Sequence, residues 1–328
     1  MPPTDAKEPP KDKHVDWKTD HDVLTGLRKL GHEVYPLGVE DDLGPIRNGI
    51  HEFKPHIVFN LLEAFHGIPA YNQYVTSFLE LHKQPYTGCN PRGLMLSRDK
   101  ALCRKVLSFH RVSGPGFAVF PRGRVVRKHP RIKFPLLVKT LSSDGSIGLS
   151  QESIVDSEEK LEERVLYLQK TFEMDVIAEE YILGREIYVG VLGNRRLTSL
   201  PLIELDFGKL APGAHPIATS KVKWDRKYQK ERNITWKIAK LPEDVERRLI
   251  RIAKRVYRSL SLNGYGRIDF RLTEQGEIYF IEANPNCDVG FDDELHLAAK
   301  ASGLSYLKLL QRILNLGLAY EAEWREVV

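Results

Sequence analysis

The sequence predicts a mixed protein, part α/β and part α+β, built from three units. Three observations carry this. Helical and strand patterns alternate over roughly residues 18–95, as in a small α/β unit. Further on, two β-rich runs flank the polar, Gly-bearing turn Thr273-Glu274-Gln275-Gly276, which reads as a hairpin over 265–284. The 328 residues are 42% hydrophobic and 28% charged, enough to bury a core across two or three packed units.

Taken in order, residues 1–17 are polar and Pro-rich without periodicity, and are expected to be disordered. Val23, Leu24, Leu27 and Leu30 recur at helical spacing over 18–30, and Gly31 follows as a C-cap. His32 to Val39 reads as a strand and 41–53 as a helix. Ile57 to Leu62 is a continuous apolar run, the pattern of a parallel-sheet strand. A helix over 71–82 completes an N-terminal α/β domain, 18–95.

The central unit, 96–190, starts with a helix from Arg98 to His110 and a strand from Phe117 to Phe120. A basic loop (122–133) leads to the strand Phe134 to Thr140 and the Ser/Gly loop 142–148. Ser157-Glu158-Glu159-Lys160 opens a capped helix to 172. Strands over 176–182 and 185–192 bend at Gly184. The C-terminal unit, 191–328, holds strands near 196–205, a polar loop over 206–240, a basic helix after Pro242, the hairpin, and helices over 292–302 and 305–320.

Composition narrows the function. No apolar run approaches the ~20 residues that span a bilayer, so no membrane partner is expected. Cys89, Cys103 and Cys287 are far apart and odd in number, which fits a reducing cytoplasm better than a disulfide scaffold. The net charge of +5 raises nucleic acid as a partner, but the basic residues are interleaved with acids and no nucleic-acid motif occurs. The charge fits an enzyme for anionic substrates. Helix 243–260 carries Arg247, Arg248, Arg251, Lys254, Arg255 and Arg258, but its stripe of Val245, Leu249, Ile252, Val256 and Leu260 marks an amphipathic core helix with a solvated face.

The chemistry concentrates in the hairpin. Gly266-Arg267-Ile268-Asp269-Phe270-Arg271 faces Phe280-Ile281-Glu282-Ala283-Asn284. Side chains alternate across a strand, so Arg267 and Asp269 share one face, as do Glu282 and Asn284. Three hard oxygen ligands suit Mg²⁺, and few protein ligands usually means that substrate phosphates complete the shell. Lys139, at a strand end beside the loop Ser142-Ser143-Asp144-Gly145-Ser146-Ile147-Gly148, can neutralise phosphates while backbone N–H groups approach them. Neither a Walker A sequence nor a G-x-G-x-x-G fingerprint occurs. Read alone, Glu179 to Glu186 is two strands with solvated acids.

The order Lys100, Lys139, the loop 142–148, Glu179, Glu186, then Arg267, Asp269, Glu282 and Asn284 resembles that of the ATP-grasp superfamily, and more narrowly the D-alanine–D-alanine ligase group. Pro85-Tyr86-Thr87-Gly88, Asp99-Lys100, Val138-Lys139, Gly266-Arg267-Ile268-Asp269 and Glu282-Ala283-Asn284 look like that group's signatures, and the resemblance covers about 18–320. The thirteen-residue Asp269-to-Glu282 spacing is its most specific part.

The resemblance implies an ATP-grasp fold of three subdomains and a carboxylate–amine ligase working through an acyl phosphate. Lys100 and Lys139 would contact ATP phosphates, and the loop with Ser143, Gly145 and Ser146 would fold over the γ-phosphate. Glu179, Tyr181 and Ile182 would hold adenine and Glu186 the ribose. Asp269, Glu282 and Asn284 would bind Mg²⁺, two ions in the group, with Mn²⁺ as a substitute. Arg267 would stabilise the transferring phosphoryl group. The implied partners are a small carboxylate and an amine (amino acids or a peptide), and a second copy of the chain docked through the N-terminal domain.

This chain departs from the group's pattern in four places. The group begins with a strand and a Gly-rich loop, whereas residues 1–17 show no strand, so the sheet edge beside Leu61 is expected to be exposed. Asp144-Gly145-Ser146 stands where the group has Gly-Ser-Ser. Pro285 to Gly290 replaces its Ser-Pro-Gly-Met-Thr, and Asp292-Asp293-Glu294 lies where a Ser-Leu pair would seat the acceptor carboxylate, which suits a cationic or amine-rich acceptor. Lys221-Val222-Lys223-Trp224 only loosely echoes the group's lid. Two other readings keep the fold: an ATP binder with a degenerate substrate half, and a kinase that stops at the phosphorylated carboxylate.

Overall fold

The computed structural model describes residues 17–124, 126, 132–142 and 146–325. Ser143, Asp144 and Gly145 lie outside the described residues, as do residues 1–16, residues 125 and 127–131 of the basic loop, and 326–328.

Helix α1 (Lys18–Lys29) starts the described chain, and Gly31, at φ +83°, turns it as a residue without Cβ can. Helices α2 (Gly44–Phe53) and α3 (Asn72–Leu81) follow. The two strands expected at 32–39 and 57–62 do not form a sheet. Residues 32–39 run without regular structure, and 57–62 contributes one parallel bridge, Val58 to Tyr86. An apolar run becomes a strand only where another backbone lies alongside to complete its ladder. Among the described residues the segment finds only 85–87, through Val58 N–H to Pro85 O and Thr87 N–H to Val58 O at 2.9 Å each. Val34, Ile57, Phe59 and Leu61 instead pack partly buried against the C-terminal core.

Helices α4 (Pro91–Arg98) and α5 (Lys100–Phe109) are separated by Asp99, whose side chain accepts from Leu102 N–H and so starts the second helix. Strands β1 (Phe117–Phe120), β2 (Leu136–Thr140), β3 (Ile154–Val155) and β4 (Val176–Glu180) make an antiparallel sheet in the order β1-β4-β2-β3. Helix α6 (Glu158–Phe172), capped by Ser157, covers one face with Leu161, Val165 and Leu168.

The larger sheet runs β10-β9-β5-β7-β8, all antiparallel, with β6 on the side of β5. Its strands are β5 (Arg185–Leu192), β6 (Thr198–Ser199), β7 (Ile203–Asp206), β8 (Thr235–Ile238), β9 (Tyr265–Leu272) and β10 (Ile278–Pro285). Strand β5, which the sequence reading groups with the central unit, is therefore the middle of the C-terminal sheet. The expected polar loop 206–240 also holds structure: α7 (Ser220–Trp224), α8 (Arg226–Arg232) and β8.

Alternation along β5 sends Ile187, Val189 and Val191 to one core, beneath α9 (Glu243–Ser259). Tyr188 and Leu192 point to the other, beneath α10 (Glu294–Ala301) and α11 (Tyr306–Leu318). Leu249, Ala253, Val256 and Tyr257 of α9 are fully buried, and each large side chain contributes about 1.5–3 kcal/mol by leaving water. Two-sided burial makes this sheet a rigid platform.

Candidate active site

The hairpin β9–β10 places the acids. Glu282 lies opposite Asp269 and Asn284 opposite Arg267, with a bulge between Phe280 and Glu282 that re-aims the strand just before Glu282. Arg267 binds Asp269 through both Nε and Nη2, at 2.8 and 3.0 Å, and Asn284 Nδ2 donates to Asp269 Oδ2 at 3.0 Å. Burial pushes the Asp269 carboxyl up, to about 6, against the pull of Arg267. Glu282 is pushed up by burial too, but Lys100, Lys139, Lys223 and Arg267 outweigh it and hold the group below its usual range. Two acids on facing strands thus sit among four cations.

Among the described residues no group of three or more His, Cys, Asp or Glu side chains is arranged to hold a metal. The donors here are two carboxylates and one carboxamide. That set fits a hard cation that takes the rest of its shell from phosphate and water.

The lysines arrive from the opposite wall. Lys100 opens α5 and reaches Glu282 Oε1 at 3.4 Å and Leu141 O at 3.5 Å. Lys139, on β2, meets Glu179 Oε2 at 2.7 Å across the β2–β4 pair. Glu179 is 2% exposed. Burial alone would raise its pKa, yet Arg104 and Lys139 bring it down to about 2. Both Glu179 oxygens therefore already carry charged donors.

Arg104 is a residue the sequence reading missed. From α5 it donates to Glu179 Oε1 through Nε and Nη2, at 3.0 and 2.8 Å. It also reaches the Phe280 carbonyl, and the Ile281 carbonyl at 2.8 Å. One guanidinium thus ties the small sheet to the bulge that aims Glu282. No local motif marks it. Arg271 was also missed: it binds Glu186 Oε2 at 2.6 Å, Gly184 O at 2.9 Å and Pro216 O at 2.7 Å. The period of two from Arg267 and Asp269 could have found it.

Two flaps close the top. Ser146 Oγ donates to Ala218 O at 2.6 Å, and Ser220 Oγ to Ser146 O at 2.9 Å. Gln151 and His215 exchange two further bonds, at 3.0 and 2.8 Å. The loop near 146–151 is thereby laced to the segment 215–220 that leads into α7 and Lys223. Beneath them Lys100, Lys139, Ser146, Glu179, Tyr181, Ile182, Glu186, Asp269 and Glu282 line one cavity of about 100 Å³. Small-molecule pockets usually measure roughly 300–1,000 Å³, so this space is small by comparison.

Arg267 and Asn284 face a second, larger space of about 2,480 Å³, which runs under the N-terminal segments. Asp292, Asp293 and Glu294 line it as well. Of these, Glu294 is engaged by Arg267 at 3.4 Å. The structure thus brings every described candidate residue to one of two adjoining spaces, a small charged cavity and a roomy groove. The three cysteines are buried thiols. Burial pushes each up to about 12, so none is a ready nucleophile.

The chain is similar to known proteins over most of its length. The model of the D-ala D-ala ligase C-terminus matches residues 114–315. A D-alanine--D-alanine ligase of Aquifex aeolicus is 32% identical over 304 residues, 93% of this chain and 96% of that protein. Another, from Moorella thermoacetica, is 28% identical over 94% of this chain and 96% of its own length. Among solved structures, the D-alanine--D-alanine ligase of Bacillus anthracis complexed with ATP superposes with a TM-score of 0.71 at 23% identity, covering 92% of this chain and 91% of that one.

Proposed function

Because this chain belongs to the D-alanine–D-alanine ligase family, ATP-dependent carboxylate–amine ligases of the ATP-grasp fold, we propose that it joins the carboxylate of one small amino acid to the amine of another through an acyl phosphate. The observation that carries this reading is the meeting of Lys100 and Lys139 with Asp269 and Glu282 in one buried cavity. Phosphoryl transfer asks a protein for charge neutralisation and positioning rather than for a covalent partner.

In this reading Lys100 and Lys139 neutralise the ATP phosphates, and the loop with Ser143, Gly145 and Ser146 covers the γ-phosphate. Glu186, steadied by Arg271, takes the ribose hydroxyls. The Tyr181 N–H is engaged by Pro135 O at 2.9 Å, so the donor to the adenine edge is the Ile182 N–H, with the Tyr181 carbonyl as acceptor. Glu179 was expected at the adenine amino group; it serves the nucleotide first by fixing Lys139. Asp269, Glu282 and Asn284 would hold Mg²⁺, as two ions or with Mn²⁺ in its place, and the metal would neutralise phosphate charge. Arg267 sits between this site and the groove, where it meets the phosphoryl group and then the oxyanion of the tetrahedral adduct.

The carboxylate oxygen attacks the γ-phosphorus and ADP leaves. The amine then attacks the acyl carbon, and phosphate departs with the former carboxylate oxygen. That phosphate is the base nearest the amine proton. Glu294 is already paired with Arg267 and burial pushes the Asp293 carboxyl up to about 8, so these acids add little negative charge to the groove. The same reading places the protein in the cytoplasm, as a homodimer through its N-terminal domain. No helix of the described residues is long and apolar enough to cross a membrane.

An ¹⁸O experiment tests the route. With the donor amino acid labelled in its carboxylate, the released phosphate is expected to carry one ¹⁸O per turnover. Unlabelled phosphate would contradict the acyl phosphate.

A further inference from the structure

Tyr188 lies at the centre of β5, 2% exposed, and nothing in the chemistry above uses it. Its place is nevertheless specific. It is two residues from Glu186 on the same face of β5, and its register partner on β9 is Asp269. Its hydroxyl donates to Glu186 Oε1 at 2.7 Å, while Arg271 holds Glu186 Oε2 at 2.6 Å. The face of its ring holds the Arg267 guanidinium, whose carbon is 4.6 Å from the ring centroid. One side chain therefore touches both the carboxylate assigned to the ribose and the cation assigned to the phosphoryl group.

The two contacts do different work. A carboxylate offers about four lone-pair positions, so Tyr188 and Arg271 can orient Glu186 and still leave acceptor sites for ribose hydroxyls. The ring acts on Arg267 in a way that Asp269 and Glu294 cannot. Those carboxylates take three of the five N–H donors of the guanidinium. An aromatic face holds the plane of the cation and leaves its N–H edge available. An aliphatic residue of the same size would fill the space with no such hold.

We propose that Tyr188 is a positioning residue that locks the ribose carboxylate Glu186 and the phosphoryl-binding Arg267 into one unit, so that nucleotide seating and Arg267 alignment depend on the same side chain. This rests on the assignment of Glu186 to ribose and Arg267 to the phosphoryl group.

The test is steady-state kinetics of the full chain with ATP and with 2′-deoxy-ATP, on Tyr188→Phe and Tyr188→Leu. Tyr188→Phe keeps the ring and loses the hydroxyl. It is expected to raise KM for ATP about tenfold, to change kcat by less than about threefold, and to lose discrimination against 2′-deoxy-ATP. Tyr188→Leu loses the ring as well, and its kcat is expected to fall a further tenfold or so. A purely structural role would lower the active fraction of both variants without this split between KM and kcat. Equal behaviour of the two variants, or unchanged KM and kcat per folded molecule, overturns the proposal. If Tyr188→Leu does not fold, Tyr188→Met takes its place, and the Phe variant still decides the ribose half. Glu186→Gln and Arg267→Ala are measured alongside. If these two act and the Tyr188 variants do not, the coupling fails alone. If Glu186→Gln leaves KM for ATP unchanged, the ribose assignment fails and the coupling with it.

Discussion

Glu282→Ala is expected to lower Mg·ATP turnover by about a thousandfold or more while the chain stays folded. Glu282 stands opposite Asp269 and within 3.4 Å of Lys100. It is thus one of two carboxylates in the proposed donor set, and the one that balances Lys100 and Lys139, the lysines proposed to bind phosphate. Its loss leaves Asp269 already engaged by Arg267 and Asn284, with no second anion to share a cation. The fold should survive because Glu282 is held by charge rather than by core packing: Lys100 keeps a carbonyl partner in Leu141. A loss of about 1–2 kcal/mol is ordinary for such a change. ADP release and a thermal unfolding curve on the same sample check both halves. Full activity in Glu282→Ala would remove the metal assignment.

The largest stability effect is expected at Arg104. Arg104→Met leaves the buried Glu179 carboxylate with Lys139 alone and strips the Phe280 and Ile281 carbonyls of their donor. Breaking a buried ion pair from one side costs about 3–5 kcal/mol, because the surviving charge stays buried. The pH dependence follows from sign. Glu179 has its folded pKa depressed from 4.5 to about 2, so its stabilisation is present above pH 4.5 and is lost as pH falls towards 2. Its size is on the order of 3 kcal/mol. In Arg104→Met the depression shrinks, so the variant should start from a lower stability and lose less of it than the parent as pH falls from 4.5 towards 2. Urea unfolding from pH 2 to 6 measures this. An acid limb unchanged from the parent would show that Arg104 does not hold Glu179. Turnover should fall as well, since the same guanidinium grips the bulge before Glu282.

What could be read from the sequence was whatever local pattern encodes. The hairpin was legible because a period of two, a Gly turn and thirteen residues of spacing together put Arg267, Asp269, Glu282 and Asn284 on one platform. The bulge at Phe280 was not, because it depends on Arg104 and Ser113 from elsewhere in the chain; Phe280 N–H bonds to Ser113 O at 2.8 Å. Residues 32–39 and 57–62 have strand-like composition, but a ladder needs a neighbour, and propensity does not supply one. Helices α7 and α8 are five and seven residues long, too short for periodicity to show against a polar background. No local pattern singles out Tyr188, and only the tertiary structure reveals that it meets both Glu186 and Arg267.

The most direct measurement is ADP release from Mg·ATP with amino acids supplied singly and in pairs, D-alanine included. The account predicts steady release only when a carboxylate donor and an amine acceptor are both present, with one ADP per bond formed. Sustained release with a single carboxylate, independent of any amine, would contradict a ligase and leave a carboxylate kinase on the same fold.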